Sequence, residues 1–221
     1  HGFRVSLFNE YIKRRTSTFG YTGFGLTGVF GNGADITPGT PSNGYIPIVA
    51  DGQTEQSLMS YFAIADYSFK NKYFVNASVR RDGSSRLAEG NKWVNYGGIG
   101  LGWLLSAENF LSQSKWLSEL KFKISYGTAG NEDVGDSYEA REQFIGATYN
   151  GIGGIILSNL EKPNLTWEVR RTLNAGFDYG LFDNRITGSI EVYNAITAGL
   201  YLNRQLSGTN GVNSILTNLG R

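Results

Sequence analysis

Apolar and polar residues alternate along much of this 221-residue chain. From Trp167 to Leu181 the odd positions are mostly apolar, and every even position is polar or glycine. A repeat of two residues places alternate side chains on opposite faces of a β-strand. The segment is therefore predicted to form a strand with one apolar face. Arg171 is the one charged residue on that face, and it lies near the start of the strand.

The same alternation predicts a series of antiparallel strands joined by tight turns. Turn-forming residues at Lys70–Lys72 and Asp183–Asn184 each separate two alternating arms, and Asp82–Ser85 predicts a further turn. The segment Ser106–Trp116 reads as a connection with one helical turn. The predicted strands cover residues 3–12, 58–69, 73–80, 93–105, 120–127, 138–148, 152–158, 167–181 and 185–196.

Residues 13–57 are polar, rich in glycine and contain three of the four prolines. This composition predicts a long outer loop. A short strand near residues 21–30 is an alternative within it. The two tight turns are separated by six predicted strands. Since six is even, both turns lie at the same end of the sheet, and the longer connections, apart from 106–116, lie at the other end.

The predicted strands are longer than those of most soluble sheets. Eleven residues at about 3.3 Å each, tilted by about 45°, rise roughly 26 Å, which matches the apolar band of an outer-membrane barrel. Nothing else in the chain would cover so much apolar surface. The fold class predicted is all-β: an antiparallel transmembrane β-barrel, here an arc of nine or ten strands from a larger barrel. Residues 1–221 are then one part of that barrel.

Composition excludes several kinds of chemistry. The chain has no cysteine, its one histidine is His1, and its net charge is +1. These counts exclude disulfides, thiolate metal sites and an internal Ser-His-Asp triad. The nearly balanced charge gives no reason to expect a basic surface that binds nucleic acid. We therefore expect no enzyme, no cofactor, no metal site and no nucleic-acid partner.

Several motifs in chain order resemble the SusC/RagA family of TonB-dependent outer-membrane transporters of Gram-negative bacteria. The resemblance covers residues 58–221, and the first 57 residues match only loosely. The most specific motifs are the segments Arg80-Arg81-Asp82-Gly83-Ser84-Ser85-Arg86 and Asn164-Leu165-Thr166-Trp167-Glu168. The other matching segments are 73–79, 91–93, 100–103, 120–131 and 176–188.

This resemblance implies a 22-stranded barrel, closed by an N-terminal plug and located in the outer membrane. It also implies a SusD-like surface lipoprotein as a lid, energy from the TonB complex, contact with lipid and lipopolysaccharide, and oligosaccharide or peptide substrates. By the same comparison, the plug, the TonB-contacting segment and the C-terminal strand lie outside these 221 residues. The expected function is active import of large nutrients. The alternatives are a passive porin or structural barrel and a soluble β-sheet binding module.

Four residues near one predicted turn are candidates for function. Arg80, Arg81, Asp82 and Arg86 would either contact substrate or lid, or form a charge network that orders a loop at the rim. The acidic loop 131–136 has oxygen ligands in a spacing that Ca²⁺ could use, but it lacks the complete loop pattern. The four tryptophans, Trp93, Trp103, Trp116 and Trp167, fit aromatic girdles or ordinary sheet packing.

Overall fold

The structure is a computed structural model, and it describes residues 1–26, 28–29 and 36–220. Within these residues the chain forms eleven strands, joined by turns and short 3-10 segments. The strands are β1 Gly2–Thr22, β2 Ile48–Phe69, β3 Tyr73–Ser84, β4 Trp93–Leu104, β5 Leu117–Asn131, β6 Gln143–Tyr149, β7 Ile152–Asn159, β8 Glu168–Leu181, β9 Ile186–Ala198, β10 Tyr201–Gln205 and β11 Ser214–Asn218. No helix in the described part of the chain is long and apolar enough to span a membrane.

Seven strands form one sheet in the order β1-β2-β3-β4-β5-β8-β9. Neighbouring strands from β2 to β9 run antiparallel, which confirms the predicted all-β antiparallel class. The strand predicted over 138–148 begins only at Gln143, as β6, and the one predicted over 152–158 forms β7. These two strands pair with each other as a separate hairpin. Strands β10 and β11 form a second separate hairpin. The predicted arc thus corresponds to seven sheet strands and two hairpins.

The register gives the sheet two chemically different faces. One row of paired residues crosses six strands with only apolar side chains and one tyrosine: Tyr67, Val75, Leu101, Ile124, Ala175 and Val192. The neighbouring row, one residue along each strand, consists of Asp66, Asn76, Gly100, Ser125, Asn174 and Tyr193. We call these surfaces the apolar face and the polar face.

Two predicted tight turns lie at one end of the sheet, here called the turn end. Lys70 and Asn71 have φ of 52° and 53°, and Phe182, Asp183 and Asn184 also have positive φ. Consecutive residues in this region reverse the chain tightly, and Asn and Asp tolerate the conformation better than most residues. Four sheet strands, not six, separate the two turns, since β6 and β7 leave the sheet. Both numbers are even, so the turns share an end as expected.

At the opposite end, the rim end, connections 85–92 and 132–167 pack together. Their buried side chains form a cluster that we call the rim core. It consists of Leu87, Ala88, Val134, Ala140, Leu165 and Trp167. Leu165 and Trp167 are only 2 % and 4 % exposed. The connections therefore have a hydrophobic core of their own, next to a sheet whose apolar residues are largely exposed.

The chain divides into two compact units, residues 1–12 with 57–221, and residues 13–56. In the smaller unit, β1 continues to Thr22 and β2 begins at Ile48. Lys13 and Arg15 both contact the Glu55 carboxylate, at 2.8 and 3.0 Å. The loop predicted over 13–57 is therefore shorter than expected, because strand residues occupy both of its ends. The possible strand over 21–30 extends only to Thr22, and Thr27 and Phe30 lie outside the described residues.

The turn predicted at Asp82–Ser85 begins later than expected, because β3 continues through Ser84. Gly83 pairs with Trp93 on β4. A Cβ atom at Gly83 would lie 2.7 Å from the Trp93 ring. The glycine thus marks a close approach between two strands, and it is part of the strand and not of a turn.

Candidate functional site

The polar face is lined at mid-height by small side chains. One row across five strands consists of Ser78, Gly98, Gly127, Thr172 and Ala195. Except for Ala195, the residues of this small-residue belt line a groove of about 590 Å³, together with the longer side chains of Phe62, Arg80 and Arg170.

Closer to the turn end, Lys123 lies between two carboxylates on the polar face. Its Nζ is 2.7 Å from Asp178 and 2.6 Å from Glu191, and Asn174 donates to the same Glu191 at 3.0 Å. Sequence reasoning missed this cluster. Alternation places all three charged residues on the polar face, but only the register of β5, β8 and β9 brings them together.

Arg80 and Asp82 form a network on the polar face near the rim end. The Arg80 guanidinium donates to Asp82 at 2.7 Å and to the Ser60 hydroxyl at 2.9 Å, and it also contacts Glu10 at 3.3 Å. The Tyr96 hydroxyl hydrogen-bonds to the second oxygen of Asp82. Asp82 is 3 % exposed. Its charge is compensated by the guanidinium and by hydrogen bonds, as a buried carboxylate requires.

Arg81 lies on the other face of the sheet. Its guanidinium carbon is 5.2 Å from the centre of the Trp93 ring, and Trp93 in turn stacks on Tyr61 at 6.4 Å. A guanidinium over an aromatic face is attracted by the ring quadrupole. Arg81 therefore belongs to an aromatic group on the apolar face, separate from Arg80 and Asp82.

Arg86 joins the two rim connections, and we call this group the Arg86 clamp. Its guanidinium donates to Asp133 at 2.8 Å and to the Asp136 carbonyl at 3.3 Å, and lies 3.9 Å from Glu132. The Ser84 hydroxyl donates to Glu132. The hydrogen bond from Arg86 holds the pKa of the Asp133 carboxyl below its ordinary value, with support from the Gly135 amide.

These contacts also describe the acidic loop 131–136. Two of its carboxylates face Arg86, and in the described part of the chain no group of three or more His, Cys, Asp or Glu side chains could hold a metal ion. Asp133 also accepts from the Gly135 amide at 3.3 Å, and Asn131 from the Asp133 amide at 3.1 Å. Side-chain oxygens of this loop thus accept hydrogen bonds from the loop's own amides and from Arg86.

A second group missed by sequence reasoning lies at the turn end. The Glu108 carboxylate accepts hydrogen bonds from the Tyr73 hydroxyl at 2.7 Å, from Trp103 Nε1 at 3.1 Å and from Lys72 Nζ at 3.2 Å. These bonds, the one from Tyr73 first, hold the pKa of the Glu108 carboxyl below its ordinary value. Glu108 thereby fixes the connection between β4 and β5 to the apolar face.

The tryptophans divide into two kinds. Trp93 with Tyr61 lies near the rim end of the apolar face, and Trp103 stacks on Tyr73 at 6.2 Å near the turn end. Trp103 follows Trp93 by about 33 Å along the strand, or roughly 23 Å in height at a 45° tilt. Trp167 does not belong to an aromatic girdle. It is buried in the rim core, and its Nε1 donates to the Lys92 carbonyl at 2.9 Å.

The sequence matches the family model described as TonB dependent receptor-like, beta-barrel, over residues 3–221. It is 36 % identical over 167 residues to TonB-dependent receptor P39 of Formosa agariphila, covering 76 % of this chain and 16 % of that protein. It is 35 % identical over 150 residues to TonB-dependent receptor SusC of Bacteroides thetaiotaomicron, covering 63 % of this chain and 15 % of SusC.

Among solved structures, the RagAB peptide importer in its closed-closed state is similar, with a TM-score of 0.85 and 25 % identity. The match covers 99 % of this chain and 24 % of that chain. The open-open state of the same importer gives a TM-score of 0.79. The chain thus spans about a sixth of the length of the curated relatives and about a quarter of the matching structures.

Proposed function

The chain belongs to the family of TonB-dependent receptor-like β-barrels, and we propose that it forms part of the barrel wall of an active outer-membrane importer. The apolar face contacts lipid, and the polar face lines the lumen. The importer takes up oligosaccharides or peptides too large for passive diffusion. Its full barrel has 22 strands and surrounds a plug that lies elsewhere in the protein.

The single observation that carries this proposal is the two-faced sheet. Six strands share one apolar row and one polar row across their whole width. A soluble sheet with an apolar face would need a second layer to cover it. Lipid covers such a face in a transmembrane barrel, where interior and exterior residues alternate along each strand. The soluble binding module is therefore disfavoured.

The chemistry of import is binding and gated passage, without bond cleavage. The small-residue belt at Gly98 and Gly127 leaves space at mid-height for the plug or for cargo. The rim core holds the outer connections in fixed positions, where a SusD-like lipoprotein lid would deliver substrate. Energy comes from the TonB complex through the plug-bearing part of the protein. The cell location is the outer membrane of a Gram-negative bacterium.

We propose different roles for the four rim candidates. Arg86 orders the outer connections through the Arg86 clamp, because its two hydrogen-bond acceptors and its ion-pair partner Glu132 come from a connection distant in sequence. Arg80 lines the lumen below the rim and is the residue of the four best placed to meet substrate, while the buried Asp82 holds its guanidinium in position. Arg81 contacts Trp93 on the apolar face, and its role is to anchor the barrel at the lipid interface.

The test uses the full-length protein in its native host. The gene is deleted, and uptake of labelled oligosaccharide and peptide pools is compared with that of the complemented strain, with and without a functional TonB complex. We expect uptake of one pool to depend on both the gene and TonB. Uptake that depends on the gene but persists without TonB would support a passive porin. Release of the protein without detergent would support a soluble module.

A further inference from the structure

The connection between β4 and β5 is longer than the other connections at the turn end. It runs from Leu105 to Trp116, whereas the other connections at this end are the tight turns at residues 70–72 and 182–185. It contains two strongly exposed aromatic residues, Phe110 at 69 % and Trp116 at 56 %. Exposed apolar residues that are grouped in one place mark a surface that contacts a partner or a membrane.

Contacts of Glu108 show on which side of the sheet this connection lies. Its carboxylate accepts from Trp103 and Tyr73, and these two residues are paired neighbours on the apolar face. Glu108 therefore reaches the apolar side of the sheet edge, and the turn that follows is held there. The amides of Leu111 and Ser112 both donate to the Glu108 carbonyl, at 2.9 and 2.8 Å.

The far end of the connection is fixed to the next turn. The Phe182 amide donates to the Trp116 carbonyl at 2.8 Å, and Phe182 is itself 53 % exposed. The turn end thus carries four exposed aromatic residues, Tyr73, Phe110, Trp116 and Phe182, and Tyr73 stacks on the half-buried Trp103. Lys115, next to Trp116, is exposed and has no ion-pair partner in the described part of the chain.

We propose that this connection, residues 108–116, is a membrane-interface anchor that inserts Phe110 and Trp116 into the phospholipid leaflet at the turn end. We choose the bilayer interface as the partner of this segment because the segment is continuous with the aromatic residues at the edge of the apolar face. Tryptophan and phenylalanine favour this depth, about 5–10 Å into the headgroup and acyl boundary. Lys115 extends its ammonium group toward the phosphates.

This inference rests on the proposed barrel function, because it requires the apolar face to contact lipid. It adds that an irregular connection, outside the strands, is itself a lipid-contacting element. Glu108 is a positioning residue: it contacts no lipid in this proposal but directs the segment toward the membrane by accepting from Trp103 and Tyr73.

The experiment uses the full-length transporter, with its own cysteines outside this chain replaced, reconstituted in phosphatidylcholine–phosphatidylglycerol vesicles. Single cysteines at Phe110→Cys, Leu101→Cys and Gln113→Cys carry a nitroxide spin label. Collision rates with oxygen, which concentrates in lipid, and with a water-soluble nickel chelate give the depth of each label. Leu101 is the control on the apolar face, and Gln113 is the exposed polar control in the same connection.

We expect the label at 110 to have an oxygen-to-nickel collision ratio several-fold above that at 113 and below that at 101. A ratio at 110 equal to that at 113, with the label at 101 in lipid, would overturn the anchor alone. Labels at both 101 and 110 in water would contradict the barrel function itself.

A second variant tests the role of Glu108 in positioning. Glu108→Gln keeps the size of the side chain but removes the charge that binds Lys72 and strengthens the bonds from Tyr73 and Trp103. With this change we expect the label at 110 to become more mobile and its nickel collisions to rise, while the label at 101 stays at its depth. No change at 110 would show that Glu108 does not position the segment.

Discussion

Leu165 and Trp167 of the rim core are 2 % and 4 % exposed, whereas Leu101 and Leu173 on the apolar face are 47 % and 48 % exposed. The two regions have similar side chains and opposite burial. The rim connections stabilise one another as a small soluble domain does, by packing apolar residues together. The strands are joined by the backbone hydrogen-bond ladder, and in the proposed barrel wall lipid covers their apolar side chains.

This difference shows that the surrounding medium, water or lipid, determines whether packing hydrophobic side chains together stabilises the fold. In the rim connections, water drives Leu87, Val134 and Trp167 together. With lipid on the apolar face, as proposed, no such force acts between its side chains, because lipid is as apolar as leucine. The same substitution should therefore have different effects in the two regions, and four variants of the full-length transporter test this.

The largest effect is expected from Trp167→Ala in the rim core. It removes a buried indole and its hydrogen bond to Lys92, so the loss of stability should be about 3–5 kcal/mol for the rim unit. Hydrogen exchange of residues 85–92 and 132–167 should rise sharply, while the strands stay protected. Trp93→Ala, at an exposed site on the apolar face, is the control, and equal exchange in both variants would contradict the comparison.

The second effect is expected from Ile99→Arg, which lies near the middle of the apolar face and is 49 % exposed. A cation at the bilayer midplane should destabilise the barrel by about 2–4 kcal/mol, falling toward the interfaces. The check is chemical unfolding in lipid vesicles, with Ser125→Arg on the polar face as the matched control. If both variants unfold at the same denaturant concentration, the assignment of the two faces is wrong.

A smaller effect is expected from Arg86→Gln in the Arg86 clamp. The variant leaves Glu132 and the Asp136 carbonyl without their guanidinium partner, and should cost the rim unit about 1–3 kcal/mol. Hydrogen exchange across residues 132–136 measures the loss. An unchanged exchange pattern would mean that the rim core alone holds the two connections together.

The same clamp predicts a pH dependence. Because the pKa of Asp133 is depressed in the folded protein, its contribution is present above the ordinary value of 3.8 and is lost as pH falls through the lower, folded value. Its side chain is 75 % exposed, so solvent screens the contribution and the change should be small. In Arg86→Gln the exchange of residues 132–136 should lose most of this dependence.

The smallest effect is expected from Gly100→Ala in the polar row next to the small-residue belt. A Cβ atom there would meet only Ser125, at 3.8 Å, so stability should change by less than about 0.5 kcal/mol. Gly97→Ala is the matched control, because its Cβ would collide with the Ser78 carbonyl of the neighbouring strand. Equal stability of the two variants would contradict the register of β3 and β4.

The sequence predicted the sheet strands and tight turns well, because alternation and turn residues are local signals. It did not show that β6 and β7 leave the sheet, since alternation does not determine which strand pairs with which. Trp167 was placed on the apolar face because the alternation was extended one residue beyond the start of β8. There the chain already belongs to the rim core.

The sequence identified the charged residues of the candidate site, but it did not identify the residues that they contact. The motif from Arg80 to Arg86 identified charged residues that make structural contacts, yet Arg81 and Arg80 lie on opposite faces. Arg86 contacts Asp133, 47 positions away, and Lys123 contacts Glu191, 68 positions away. Such pairings depend on the sheet register and on loop packing, which a single sequence does not specify.

One consequence follows from the pairing of Asn131 with Glu168, the residues at which β5 ends and β8 begins. Their side chains are joined by a hydrogen bond of 2.8 Å, so the two ends of segment 132–167 are adjacent in space. A segment with adjacent ends can change length or sequence at little entropic cost to the strands that carry it. Evolution could therefore exchange this segment as a cassette, provided that acceptors for Arg86 and the packing of Leu165 and Trp167 are kept. Receptors with the same wall could acquire different outer surfaces in this way.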